Sequence, residues 1–337
     1  MAGANATPSR LGVALDPDKF RLDATEHQAI FEQKIKPRLF GGTRSAPKPV
    51  AVIFGGQPGA GKSAVVGLAH QELSQRGGAV EIIGDDLRQF HPHYGRLVGL
   101  DDKTAAFYTD RDTGLWIEKS IAQASRLGVS VVIEGTMRDS DKVAATMQML
   151  RIAGFEIDAR ALAVHHRLSA QGILMRYEGQ KQDRGWARMT TEAAHQAGFD
   201  GLPITLARIE VEKLADRVSV MRRGGEVIYA NYLKHGEWVH PPKARRVLDD
   251  ERQRPLTVAE LSDYAKAFEG LATQLLRFER HATAEEIHHV YQMRHEAVAM
   301  WVDALSISLQ MANDSKDAAA KDLAEGFDRL SRSSRPH

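Results

Sequence analysis

The sequence predicts an α/β fold: a mostly parallel five-stranded sheet flanked by helices, followed by a C-terminal helical extension. Three observations carry that expectation. The apolar run Val50-Ala51-Val52-Ile53-Phe54 leads through Gly56-Gln57-Pro58-Gly59-Ala60-Gly61-Lys62-Ser63 into Ala64-Val65-Val66-Gly67-Leu68-Ala69, which reads as strand, glycine loop and helix. Further short apolar runs alternate with helical stretches, an order that demands a parallel sheet with helices on both faces. After Tyr229 the composition changes, and apolar residues recur at spacings of three and four.

A chain of 337 residues is long enough for one large domain with an appendage, or for two domains. The boundaries fall at 1–47 (an N-terminal extension with one short helix), 48–230 (the sheet domain) and 231–337 (an irregular segment and a helical hairpin). A formal net charge of +1 offers no global basic field, so neither nucleic acid nor membrane is expected as a partner. The absence of cysteine excludes disulfides, thiolate metal sites and cysteine nucleophiles. Met1 to Pro8 is small and polar, and no run approaches ~18 apolar residues, which makes the cytoplasm the default location.

In chain order, residues 1–22 look flexible, and Thr25–Ile35 suits a short helix with Ile30, Phe31 and Ile35 on one face. Gly41 to Pro47 is a linker by composition. Gly77-Gly78 stops the helix after the glycine loop, and Val80–Ile83 reads as a second strand ending in Gly84-Asp85-Asp86. Thr113–Leu127 reads as a helix closed by Gly128. Val129–Ile133 is a buried strand that runs into Glu134-Gly135-Thr136-Met137-Arg138. Ser140–Ala153 is helical, Phe155–Val164 a strand, and Arg167–Glu178 a helix carrying Arg176. Gly179–Arg188 is short and basic, either a solvated loop or a mobile arginine-bearing lid. Thr191–Leu214 is helical with an irregular piece at Gly198–Pro203, and Val218–Met221 is the last sheet strand. Gly224-Gly225 permits a hairpin into Val227–Tyr229, after which 230–255 reads as irregular. Thr257–Glu260 and Thr283–Glu286 are capping boxes. They open two amphipathic helices whose short link at Arg280–Ala282 implies an antiparallel hairpin, with a weaker helical tail after Asn313. His281, His288, His289 and His295 lie among glutamates there without a closed ligand set, so solvated or capping histidines are expected.

The chemistry concentrates where strands end. The pattern G-x-x-x-x-G-K-[ST] is the phosphate-binding P-loop. Gly56 to Ser63, with Ala64 opening the helix, turns backbone N–H groups around an anion, Lys62 adds charge near the β and γ phosphates, and the Ser63 hydroxyl suits Mg²⁺. In open α/β sheets ligands sit beyond the carboxyl ends of strands, which places Asp85 and Glu134 well. Asp86 is as readily a helix cap.

These residues resemble the zeta toxin family of P-loop kinases. The resemblance rests on the glycine loop at 56–63, Gly84-Asp85 with His91-Pro92 downstream, Ile133-Glu134-Gly135-Thr136 with Arg138, Arg176-Tyr177-Glu178, and Ala187-Arg188 with His195 downstream. It covers about residues 24–230. It implies transfer of the γ-phosphate of ATP or GTP, with Mg²⁺, to the 3′-OH of the amino sugar of UDP-N-acetylglucosamine, by a toxin normally restrained by an antitoxin. By the same resemblance Lys62, Asp85, Arg176 and Arg188 are catalytic, with Asp85 the general base and Asp86 the lesser alternative. Asp85, Glu134, Thr136 and Arg138 bind the substrate, and Ser63 holds the metal. The interval from Arg176 to Arg188 is a residue shorter than the family's, which makes Arg184 a competitor for the second arginine role.

Two other readings stand beside this one. The chain could phosphorylate another acceptor, such as NAD, another nucleotide sugar or an antibiotic. It could instead be a nucleotide-dependent switch that uses its C-terminal helices to hold a partner, though a switch has no need of Asp85, Glu134 and two arginines together. Those helices themselves could pack on the sheet domain, bind a partner, or cap the nucleotide site in cis.

Overall fold

The computed structural model describes residues 16–333, so residues 1–15 of the expected flexible start lie outside the described residues. The chain divides into two compact units, residues 1–254 and 255–337.

In the first unit, Asp23 caps Ala24–Ile30 (α1) by accepting from the N–H groups of Thr25 and Glu26. A π turn, Phe31–Ile35, carries the helix into Lys36–Phe40 (α2), beyond the expected end at Ile35. There follow Val50–Gly55 (β1), Lys62–Ser74 (α3), Val80–Ile83 (β2), Gly84–Arg88 (α4), Tyr94–Leu100 (α5), Ala105–Leu127 (α6), Val131–Glu134 (β3) and Ser140–Ile152 (α7). Glu156–Leu162 (β4), His166–Arg184 (α8), Glu192–Val211 (α9), Arg217–Met221 (β5), Val227–Lys234 (β6), Glu237–Trp238 (β7) and Ala244–Gln253 (α10) complete it.

The sheet runs β2-β3-β1-β4-β5-β6-β7, seven strands where the sequence suggested five. Strands β2, β3, β1, β4 and β5 are parallel, as expected of the βα repeats. β6 and β7 add an antiparallel edge. The expected hairpin return extends past Tyr229 to Lys234. Its inward Asn231 breaks the apolar alternation and disguised the strand: the Asn231 amide donates to Tyr229 Oη at 3.1 Å and to the His240 carbonyl at 2.8 Å.

The two faces of β1 define two packing layers. Ala51 and Ile53 meet Trp116, Met147, Leu150 and Leu206 on one side. Val50, Val52 and Phe54 meet Val65, Val66, Ala69 and Leu73 on the other. Each large side chain buried this way contributes about 1.5–3 kcal/mol.

Four expectations about the helices are corrected. α6 begins at Ala105, not Thr113, because its first turns bury polar rather than apolar groups. Among them, Asp112 Oδ2 accepts from Leu22 N–H at 3.2 Å and lies 3.2 Å from His91 Nε2. α8 does not stop at Glu178 but continues to Arg184, so most of the expected lid loop is helical. Its charged turn is anchored, with Lys181 Nζ 2.9 Å from Asp102 Oδ2. α9 runs unbroken through Gly198–Pro203. Gly201 there permits close approach to the chain after β3, since a Cβ would lie 2.3 Å from the Arg138 carbonyl oxygen. Finally, residues 244–253 form α10 inside the stretch expected to be irregular. Glu210, 3% exposed, seats it by accepting from the N–H groups of Lys243 at 3.3 Å and Ala244 at 2.9 Å.

In the second unit, Thr257 and Glu260 form the capping box of Val258–Leu275 (α11), whose Leu261, Tyr264, Phe268, Leu271 and Leu275 are buried along one side. Thr283 and Glu286 exchange the same two bonds at the start of Ala284–Ser333 (α12). Val290 and Ala297 of α12 are buried, and Arg294 donates to Glu269 of α11 at 2.8 Å. Among the described residues, no helix is long and apolar enough to cross a membrane.

Candidate active site

β1 ends at Gly55, and the chain turns through Gly56–Gly61 before Lys62 opens α3. Gly59 adopts φ +77°, and a Cβ there would lie 2.0 Å from the Ser169 carbonyl, so only glycine lets the loop pack on the start of α8. Gln57 and Ala60 are buried, Gly56 with them, while Pro58 is half-buried and Ser63 and Ala64 are exposed on the first turn of α3. Lys62 is 8% exposed. Its Nζ donates to the carbonyls of Gly56 at 2.8 Å and Gln57 at 3.2 Å and stands 3.9 Å from Glu134 Oε1. Burial lowers the proton affinity of this amine, and Glu134 partly restores it.

The strand order brings the acids to the loop. β3 lies beside β1 with Glu134 opposite Phe54, and β2 lies beside β3 with Ile83 opposite Glu134. Asp85 follows directly in the first turn of α4. Three guanidiniums converge on it: Arg188 Nη2 donates at 2.9 Å, Arg176 Nη1 lies at 3.7 Å and Arg88 Nε at 4.0 Å. Burial alone would raise the Asp85 carboxyl, but Arg188, Arg176 and Arg88 outweigh it and hold it below the usual carboxylate range. Glu134 goes the other way, raised chiefly by burial. Asp86 is also raised, by burial and by Asp85, and none of these arginines bonds to it.

The arginines come from α8 and the segment after it. Arg176 Nη2 donates to Thr190 Oγ1 at 2.6 Å, and Tyr177 Oη donates to Asp102 Oδ2 at 2.9 Å. Arg184, the competitor for the second arginine role, instead lies over the Trp186 ring at 5.8 Å. Thr136 is half-buried and Arg138 exposed. Among the described residues no hydrogen bond or ion pair joins either side chain to the Asp85 group. Between them Met137 takes φ +51°, uncommon for a bulky residue, and its carbonyl accepts from Thr205 Oγ1 at 2.6 Å. The histidines that accompany the motifs are buried supports: His91 beside Asp112, and His195 Nε2 at 2.8 Å from Ser169 Oγ. Sequence reasoning missed Arg88, although its position three residues after Asp85 on a helix was a usable signal. It also missed Arg252, which lies 195 residues from its partner Gln57 in sequence.

The geometry can be set against known proteins. A zeta toxin family model matches residues 36–234, more than half of the chain, from α2 to the end of β6. The chain belongs to the zeta toxin family. The zeta toxin match takes in the glycine loop, Asp85, Glu134, Arg176 and Arg188, and ends before the second unit begins. The chain is similar to Toxin PezT of Streptococcus pneumoniae, 30% identical over 231 residues, 65% of this chain and 90% of that protein. It is similar to Toxin zeta of Enterococcus hirae, 30% identical over 60% of this chain and 72% of that one. A solved structure from the PezAT chromosomal toxin–antitoxin system of S. pneumoniae superposes with a TM-score of 0.63 at 25% identity, over 75% of this chain and 98% of that one.

Proposed function

We propose that this zeta toxin family member is a small-molecule kinase that transfers the γ-phosphate of ATP or GTP to the 3′-OH of the amino sugar of UDP-N-acetylglucosamine, and that it acts as a toxin restrained by an antitoxin. The observation that carries the reading is Asp85: one carboxylate at a strand end, beside the phosphate loop, with Arg188 at 2.9 Å and Arg176 at 3.7 Å. Phosphoryl transfer asks a protein for charge around the transferring group and a positioned hydroxyl rather than for covalent chemistry. The similar proteins of S. pneumoniae and E. hirae are toxins by name, which supports the biological role.

The loop residues fit a triphosphate. Lys62 and the first turn of α3 offer an ammonium and backbone N–H groups to an anion, and Gly59 lets the loop pack closely on α8. Ser63 would hold Mg²⁺ through its hydroxyl. When bound, the cation offsets charge on the β and γ phosphates.

Arg176 and Arg188 both lie against Asp85. A γ-phosphate is the stronger partner for both guanidiniums, and their transfer to it frees the carboxylate and raises its basicity. Asp85 then takes the proton of the acceptor hydroxyl. The hydroxyl oxygen bonds to the γ-phosphorus, the bond from that phosphorus to the β–γ bridging oxygen breaks, and the nucleoside diphosphate leaves. Thr136 and Arg138 hold the acceptor's diphosphate.

The test is incubation of the purified chain with γ-labelled ATP, Mg²⁺ and UDP-N-acetylglucosamine. Label is expected in the sugar nucleotide, and should accumulate about a hundredfold or more slowly with Asp85→Ala. A protein that binds ATP yet labels no small molecule would overturn the kinase reading in favour of a nucleotide-dependent switch.

A further inference from the structure

The reaction above uses groups on the β2–β3 side of β1. A second set of guanidiniums reaches the phosphate loop from the β4–β5 side. Arg252, at the end of α10, is 4% exposed. Its Nη2 donates to Gln57 Oε1 at 2.6 Å, and its Nη1 donates to the Phe199 carbonyl at 2.8 Å. That carbonyl is available because Pro203, four residues on in α9, has no N–H to offer it. The guanidinium also stacks on the Phe199 ring at 4.2 Å. Gln57 in turn donates to the Val164 carbonyl at 2.7 Å and to Ser169 Oγ at 3.1 Å.

Arg223, in the turn between β5 and β6, does the same one step along the loop. Its Nη2 donates to the Gly59 carbonyl at 2.5 Å and to the Leu168 carbonyl at 3.2 Å. Neither Arg223 nor Arg252 forms an ion pair among the described residues; both charges rest on neutral oxygens. Burial lowers the proton affinity of Arg252 to about 10. The preceding residue of each segment ties the two together: Arg222 donates to Glu251 through Nε at 2.9 Å and Nη2 at 3.0 Å.

We propose that Arg223 and Arg252 are positioning residues that preset the phosphate loop for its nucleotide, with the Arg222–Glu251 pair as the tie that aligns them. This rests on the reading that the loop binds the donor nucleotide. Anchoring the Gly59 carbonyl fixes the Gly59–Ala60 peptide, whose N–H closes a turn onto the Gln57 carbonyl at 3.1 Å. Holding Gln57 and Gly59 fixes that turn, and with it the direction of the N–H groups that follow into α3. Neither guanidinium is hydrogen-bonded to a carboxylate, although Asp249 and Asp200 lie near enough to act on Arg252, so much of their charge remains at the loop, where a polyanion gains from it.

The experiment is equilibrium binding of ATP with Mg²⁺ by calorimetry, alongside thermal unfolding of the nucleotide-free protein. Arg223→Ala and Arg252→Met are each expected to weaken ATP binding about tenfold or more, the range for a lost hydrogen bond to a charged group. Arg252→Lys should recover part of the loss, because the charge and one donor remain. The loss from Arg252→Met should shrink in a Gln57→Met background, since the two act as one unit. A merely structural role would lower the unfolding temperature and leave the ATP affinity of folded protein unchanged, and that result overturns the proposal. Should Arg252→Met fail to fold, Arg223→Ala and Arg222→Ala, on the exposed turn, decide the matter in the same way. Wild-type protein that binds no ATP would instead contradict the donor reading itself.

Discussion

On the β2–β3 side of the phosphate loop, Asp85 stands among Arg88, Arg176 and Arg188, and Lys62 faces Glu134. On the β4–β5 side, Arg223 and Arg252 reach only the neutral oxygens of Gly59, Leu168, Gln57 and Phe199. The difference separates groups that must change partners from groups that must not. A guanidinium paired with a carboxylate can be drawn away by a better anion, and the carboxylate it leaves becomes a stronger base. A guanidinium hydrogen-bonded to backbone and amide oxygens, as Arg223 and Arg252 are, fixes those neighbours in place. In the proposed reaction, chemistry falls to the first arrangement and preorganisation to the second.

Breaking the first side should cost most. Lys62→Ala and Asp85→Ala are each expected to lower turnover by about 10² or more in steady-state assays of folded protein. Arg188→Ala should lower kcat/KM about tenfold to a hundredfold, as loss of a charged donor to the transferring group does. It should also move the acid limb of the pH profile of kcat/KM for ATP, which reports the free enzyme, to higher pH, because Asp85 there loses the nearest charge holding its carboxyl down. An unmoved acid limb would remove Asp85 from the role of base.

Smaller effects sharpen the contrast by acting on supports. Gly201→Ala drives a methyl to 2.3 Å from the Arg138 carbonyl oxygen. It should cost about 1–3 kcal/mol in denaturant unfolding and raise the KM for the acceptor more than for ATP. The last expected effect concerns His195, pushed down to about 4 from 6.5 by burial, with His166 and Arg252 adding to it. The unfolded chain takes up this proton first. Its contribution to stability is therefore complete above about pH 6.5 and is lost as pH falls toward about 4. His195→Gln should flatten the unfolding temperature across that interval.

How much of this was legible depends on how local each signal is. Gly56–Ser63, Asp85 and Glu134 announce themselves because a strand, a turn and a few residue types sit within one short stretch. The family resemblance supplied Arg176 and Arg188, and the fold brings both to Asp85. The rear brace was not legible. Arg252 lies 195 residues from Gln57 in sequence, and its cue, Pro203, reads as a helix break rather than as a carbonyl left for another donor. α10 was hidden by its own charges, which form i,i+4 pairs along one helix side, Arg245–Asp249 at 3.5 Å and Arg246–Asp250 at 3.6 Å. The basic stretch after Glu178 looked like a loop for the same reason, although Lys181 is pinned to Asp102.

The central claim is transfer of a phosphoryl group to a small molecule, and mass spectrometry of a metabolite pool incubated with the protein, ATP and Mg²⁺ tests it most directly. One species, UDP-N-acetylglucosamine, is expected to gain about 80 Da, the mass of an added ~HPO₃, and to gain it about a hundredfold or more slowly with Asp85→Ala. A pool in which no species gains that mass, although the protein binds ATP, would contradict the claim.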